Sequence, residues 1–557
     1  MQQLEAHEVP LYKVFSGEYD FRIPDYQRPY AWEVEQATQL LDDLAEALDR
    51  GDEEPYFLGS IVLVKAKDTA QSDVIDGQQR LTTLTILIAV LRDLTDDPTL
   101  RGELDALLQE PGSIVQGLDK KPRLTLRKRD APFFRTFVQE TSSLSALEQL
   151  DTLQLETSAQ KAIQANAAAL RERLSSWDEL RRLQLAKMLG GRTYLVAVST
   201  PDLDSAHRIF SVMNARGLDL SPADIFKATV IGKVPLDKSA FYTDRWETAE
   251  ESLGRDEFAE LFLHIRTIVS KERGRRELLK EFPEQVLDAY FPSQATQFVD
   301  ELLVPYADAY AALNGDSYAA TTDADYVNAW LRRLSQLDNN DWKPAALWAM
   351  RHHGNDPAWL CEFLGSLERL AVSMLICRWY TTPRINRYLE LLRQLEQGDG
   401  IEALALRLTE DERNDTLARL GGQIYLVQRV RKYVLLRLDE TLANQPGVTY
   451  SHPLITIEHV LPQSPEADSV WCRLFTEEER EHWTHRLANL VLLNRPKNSE
   501  AGRKDFAQKK SGYFTSPKGV AAFALTTQVL ACDEWTPAVL TERQAELIET
   551  LRALWRL

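Results

Sequence analysis

Late in the chain, Glu458 and His459 stand side by side at the end of an apolar, β-branched run, and Asn489 and Asn498 follow. These residue types suit the hydrolysis of a phosphodiester, which needs an activated water and positive charge to offset the charge that builds on the phosphate. A neutral imidazole takes the proton from water. Carboxylate and Asn carbonyl oxygens are ligands for a hard cation such as Mg²⁺ or Mn²⁺, and an Asn oxygen also orients an imidazole. Adjacent strand residues point to opposite faces, so a bend is needed to bring Glu458 and His459 into one site. Pro462 is consistent with the chain leaving the ladder there. A single His on an apolar strand is by itself a packed core residue; the spaced set of four carries the reading. His452, His482 and His485 lie nearby and are read as bystanders.

A second group stands near the start. Asp76-Gly-Gln-Gln-Arg80 falls between a strand and a helix. Gly77 there lets backbone approach a ligand, and the free N–H groups of a helix start attract an anion. Arg80 adds a planar fork for phosphate oxygens. Upstream, Phe21 to Trp32 is dense in aromatics and Arg. A Walker A loop is absent, which excludes a P-loop NTPase.

The elements that must position these groups follow from periodicity. Phe57 to Val64 reads as a strand and Asp73 to Ile75 as its returning partner. Leu81, Leu84, Leu87, Ile88 and Leu91 have helical spacing, and a second helix spans about 205–213. Ser221-Pro-Ala-Asp224 opens another, with Ser at the N-cap, Pro at N1 and an acid at N3. Residues 241–440 read as almost wholly helical, with Trp246, Trp330, Trp342, Trp348, Trp359 and Trp379 as packing residues. The stretch 440–453 is the best linker candidate. Beyond it the order is strand (Leu454 to Val460), long connection, strand (Leu487 to Leu493), then helix from Asn498. This predicts an α+β, mostly helical protein in three parts: 1–240, 241–440 and 441–557.

With 557 residues and 44% hydrophobic composition, the chain has enough apolar surface for large cores without disulfides. No apolar run approaches the ~20 residues that span a bilayer. The polar, acidic start is not that of a signal peptide, and the four cysteines include no Cys-x-x-Cys pair. A reducing cytoplasm is therefore expected and a structural zinc site is not. The net charge of −19 argues against nucleic-acid binding by the chain as a whole. Residues 441–557, however, hold 13 basic and 14 acidic residues. Within them Arg495, Lys497, Arg503, Lys504, Lys509, Lys510 and Lys518 face only Glu500 and Asp505, a local +5 over 24 residues. That stretch reads either as a DNA contact or as a solvated helix face.

These motifs also carry a resemblance. Ile457-Glu-His-Val-Leu-Pro-Gln463, Leu487-Ala-Asn-Leu-Val-Leu-Leu493, Asn498, Phe506, Lys509 and Tyr513 resemble the C-terminal nuclease domain of GmrSD-type, modification-dependent restriction enzymes, a His-Me finger (ββα-metal, HNH-like) domain. Ile23-Pro-Asp-Tyr-Gln-Arg28, Tyr56-Phe-Leu-Gly-Ser-Ile61, Val74 to Leu81, and Ile209 to Gly217 with Leu220-Ser221 and Asp224 to Lys227 are similar to the same family's N-terminal domain, which has a ParB/sulfiredoxin-like core. The resemblance implies His459 as general base, Asn489 as the residue that orients it, and Glu458 and Asn498 as metal ligands. It places Lys509 on backbone phosphate, with Lys504 and Arg503 beside it in the basic stretch. It implies nucleoside triphosphate binding and hydrolysis (GTP, ATP or UTP) at Asp76, Gly77, Gln78, Gln79 and Arg80, helped by Gln27, Arg28, Asn214 and Lys227. Departures are Ala488 for the usual Gly, Val460 for Ile, Glu458 for Asp, and Asp204 and Ser211 where Glu is frequent.

The function expected is a fused anti-phage endonuclease that nicks or cleaves modified DNA under nucleotide control. Self-association is compatible with the sequence, and no membrane partner is expected. Two other readings stay open: a nucleotide-regulated DNA-binding module with an inactive nuclease domain, and a toxin-like RNA nuclease.

Overall fold

A computed structural model describes residues 5–25, 27–51, 54–67, 69–112, 120–141, 143–202, 206, 221–443, 455–494, 502–515 and 523–557. The helix expected at 205–213, the 440–453 linker, Asn214 and Asn498 lie outside or largely outside the described residues. The chain forms two compact units, Met1–Asp244 and Arg245–Leu557. The architecture is mostly helical with small mixed sheets, an α+β protein.

The first unit is built on a six-stranded mixed sheet of β1 (Glu5–Pro10), β2 (Asp20–Arg22), β3 (Tyr56–Val64), β4 (Gln71–Asp76), β5 (Leu124–Thr125) and β6 (Thr193–Thr200), in the order β1-β6-β3-β4-β2-β5. The expected hairpin is present: β3 and β4 are antiparallel, with Val62 opposite Asp76. Helix α1 (Val34–Asp49) has an apolar stripe on one side, as Ala37, Leu40, Leu41, Leu44 and Ala47 are buried. Helix α2 (Gln78–Leu94) differs from the one-faced helix that its leucines suggest. Every residue from Gln78 to Arg92 except Arg80 is buried, so this is a central helix wrapped on all sides. Its buried Thr82, Thr83 and Thr85 spend their hydroxyls on carbonyls one turn back. Helix α3 (Pro222–Ile231) starts as predicted, with a reciprocal capping box between Ser221 and Asp224 and Pro222 in its first turn.

In the second unit, which begins within the helix Leu236–Leu253, helices run on through α4 (Gln428–Leu442), and Trp246 and Trp342 are buried. Strand β7 (Ile455–His459) pairs antiparallel with β8 (Leu490–Asn494), placing Leu490 opposite His459 and Val491 opposite Glu458. Between them lies α5 (Glu477–Trp483), and after them come α6 (Phe506–Thr515), α7 (Ala524–Ala531) and α8 (Pro537–Trp555). Helix α4 packs against α7 and α8, and buried Asp439 accepts the backbone N–H of Leu525 at 2.8 Å. The elements on either side of residue 441 thus share one unit. No helix among the described residues is long and apolar enough to cross a membrane.

Candidate active site

His459 ends β7 with 6% of its surface exposed. Its Nδ1 lies 3.2 Å from the side-chain amide of Gln463, four residues on and exposed. Its Nε2 is buried and has no hydrogen-bond partner. Burial pushes the imidazole down to about 3, with further lowering from His485, Lys509 and Arg431. The ring is therefore neutral near pH 7, the state a general base requires. For Nε2 to accept a proton, Nδ1 must carry hydrogen and Gln463 must present its oxygen. A half-turn of that amide exchanges its two ends.

Asn489 is fully buried, but its amide does not meet the imidazole. Oδ1 accepts the N–H of Leu461 (2.7 Å) and of the Trp535 indole (3.3 Å), while Nδ2 donates to the carbonyls of Leu461 (2.9 Å) and Thr484 (3.0 Å). With each end of the amide doubly bonded, the expected direct orientation of His459 is replaced by a clamp on the turn that follows it. The Asn489 carbonyl also accepts from Val460 N (3.0 Å). Asn489 precedes β8 in a short 3₁₀ turn rather than lying within the strand. Helix α8 pins that turn, since Arg543 and Gln544 bond the carbonyl and N–H of Ala488.

Lys509 departs furthest from expectation. It is 1% exposed, and its ammonium donates to Glu458 Oε1 and to the His459 carbonyl, each at 2.7 Å. It is an internal partner of the candidate metal ligand, not a surface contact for phosphate. A hard cation takes about six oxygen ligands or more. Among the described residues there is no group of three His, Cys, Asp or Glu for a metal, and the Glu458 carboxylate is already neutralised by Lys509. The described residues therefore do not complete the expected Mg²⁺ or Mn²⁺ site. Of the basic stretch, Arg503 and Lys504 are exposed.

The sequence reading missed a further layer around His459. Tyr425 meets the imidazole edge-on at 4.2 Å and stacks on His485 at 5.3 Å, and Arg431 caps the Tyr425 ring at 4.3 Å. Tyr425 and Arg431 lie outside the motifs, so only the fold brings them in. His485 was passed over for lack of a spacing signal.

In the first unit, Asp76 ends β4 and Gly77 turns the chain into α2 with φ +91°. A Cβ on Gly77 would stand 2.5 Å from Ile61 Cγ2, so glycine is required on two counts. Burial raises the Asp76 carboxyl, opposed by the Gly77 N–H, Arg80 and Arg28. Burial lowers Arg80, opposed by Asp76 and Tyr56, and its guanidinium donates to the Ser60 carbonyl (3.0 Å). Two guanidinium groups beside a helix start fit an anionic phosphate group. Gln79 and Gln27 are corrected to structural parts. The Gln79 amide bonds the carbonyl of Pro29 and the N–H groups of Ala31 and Trp32, and Gln27 donates to the Ile75 carbonyl. Lys227 is buried on α3, and Gln78 is buried at the start of α2.

The two constellations coincide with two matches to family models. The GmrSD restriction endonuclease N-terminal domain matches residues 11–231 and the GmrSD restriction endonucleases C-terminal domain matches residues 409–550. None of the curated proteins compared with the chain matches it. With both domains of one family present in order and spanning most of the sequence, the chain belongs to the GmrSD restriction endonuclease family.

Proposed function

We propose that this protein is a defence endonuclease that cuts modified DNA at the His459 site under control of a nucleoside triphosphate bound around Asp76, Gly77, Gln78, Arg80 and Arg28. The observation that carries the cutting half is the buried, unpartnered Nε2 of a neutral His459. A buried polar atom left without a partner costs stability, and catalysis is one reason for a fold to keep it. His459 Nε2 takes the proton of a water that attacks phosphorus, Gln463 holds the ring, and Asn489 fixes the turn behind it. Exposed Arg503 and Lys504 supply charge for the DNA backbone. An antiparallel ribbon followed by α6 supports a His-Me finger reading of this region, and the mixed sheet feeding α2 supports a ParB/sulfiredoxin-like reading of the first unit.

The test incubates the purified full chain with modified plasmid, unmodified plasmid and RNA, each with and without GTP, ATP or UTP. Cutting confined to modified DNA, dependent on nucleotide and lost in Arg80→Ala, is the expected result. Cutting indifferent to nucleotide and to Arg80→Ala contradicts the control half. RNA cleavage alone, or binding without cutting, contradicts the cutting half.

A further inference from the structure

We propose that loop 271–276 is a sequence-independent contact for the DNA backbone, with Arg273 and Arg275 holding phosphodiester groups of the substrate duplex. This rests on the reading above that DNA is the substrate.

The loop reads Lys-Glu-Arg-Gly-Arg-Arg, four cations against one acid in a chain of net charge −19. It joins the helices Arg255–Ser270 and Leu278–Gln285 in the second unit, and it lies between the two family matches, so neither covers it. Residues 272–276 are all exposed. Two of the cations are compensated: Lys271 pairs with Glu396 and Arg276 with Glu284. The other two keep their charge. Arg273 donates to the Thr382 hydroxyl at 2.9 Å, a neutral partner, and the Arg275 guanidinium has no hydrogen bond or ion pair among the described residues.

What separates this loop from a solvated run of charge is the structure behind it. Arg266 and Glu281 form an ion pair at 3.0 Å, with side chains 5% and 4% exposed. Taking two charges out of water is costly. The polar atoms of this pair turn to the loop backbone. Glu281 Oε1 accepts the N–H groups of Arg275 and Arg276 at 2.8 and 2.9 Å, and Arg266 Nη1 donates to the Glu272 carbonyl at 3.1 Å. From a third helix, Thr381–Gln397, Arg393 donates to the Lys271 carbonyl at 2.7 Å. Gly274 passes close over the pair: a Cβ there would stand 3.3 Å from Arg266 Nη1 and 3.4 Å from Glu281 Oε2. Buried charges thus hold the backbone while Arg273 and Arg275 stand in solvent. Solubility asks only for charge. A backbone fixed in advance lowers the ordering cost when those side chains bind a ligand.

The chemistry of the ligand follows from the side chains. A guanidinium grips a phosphodiester through paired N–H···O bonds and stays charged throughout the physiological pH range. A polyanionic duplex is repelled by the chain as a whole, and Lys509 is turned inward onto Glu458. Positive charge held outward on a fixed loop offsets that repulsion. Backbone contacts position a duplex without reading it, so the contribution is the same for modified and unmodified DNA.

The test measures binding of the full chain to a short, labelled, unmodified duplex by fluorescence anisotropy over a series of salt concentrations. Each phosphate contact contributes about 0.9 to the slope of log K against log salt. Arg273→Gln/Arg275→Gln is expected to make the slope shallower by about 1.8, and by the same amount on modified duplex. Arg273→Lys/Arg275→Lys keeps both charges and should stay within about 0.5 of the wild type. Lys161→Gln/Lys187→Gln removes the same charge from exposed positions of the first unit and should leave the slope in place. An unmoved slope in the Gln loop variant, an equal fall in the first-unit variant, or wild-type protein that binds RNA in place of DNA overturns the assignment. Nicking is read separately. Wild-type protein that cuts nothing, yet shows the expected slope change, defeats the nuclease reading and leaves the loop contact standing.

Discussion

The ammonium of Lys509 lies 2.7 Å from both the Glu458 carboxylate and the His459 carbonyl, tying α6 to the end of β7. Both side chains are almost fully buried, 0% and 9% exposed. Removing one partner of a buried pair strands the other charge and costs about 3–5 kcal/mol. Lys509→Met and Glu458→Gln should each lose that much unfolding free energy in denaturant titrations. The double variant should lose less than the sum. Single losses below about 1 kcal/mol would mean that the pair behaves like an exposed one.

His459 makes stability depend on acid. Its folded value, about 3, lies below the 6.5 of an unperturbed imidazole, so the unfolded chain binds the proton first as pH falls. The contribution is complete above about pH 6.5 and is lost as pH drops toward about 3. The melting temperature of His459→Gln should fall less steeply between these limits than that of the wild type. Parallel slopes would contradict a displaced His459.

Gln463 is the only described side chain that hydrogen-bonds the His459 ring. Gln463→Leu removes that bond at an exposed position, so stability should stay within about 0.5 kcal/mol. The cutting rate should fall about tenfold with KM unchanged, as expected when a transition-state interaction is lost without ground-state binding. A change confined to KM would place Gln463 in substrate binding instead.

At the other constellation, Gly77→Ala should cost about 1–3 kcal/mol, from positive φ and from the Ile61 contact together. Nucleotide affinity, measured by calorimetry, should fall with it, because the turn sets the start of α2 between Asp76 and Arg80.

Much of this was legible in the sequence where local chemistry dictates local form. The β3–β4 hairpin, the Ser221–Asp224 cap and strand β7 follow from β-branched runs, capping residues and Pro462. The site was legible in membership but not in roles. Glu458, His459, Asn489 and Lys509 do converge, yet spacing cannot say that Lys509 turns inward onto Glu458 or that the Asn489 amide is consumed by Leu461, Thr484 and Trp535. Those outcomes depend on α6, on Trp535 and on the turn after β7 being brought together from separate stretches of chain. Tyr425 and Arg431 gave no signal for the same reason. Gln79 misled because a buried amide that stitches two segments has the same identity as one that reads a ligand.

The most direct test is a nicking assay on modified supercoiled plasmid with wild-type protein and His459→Ala, both checked for the same circular dichroism spectrum. The account predicts relaxed or linear DNA from the wild type and none from the folded variant. Equal cutting by a folded His459→Ala protein would contradict it.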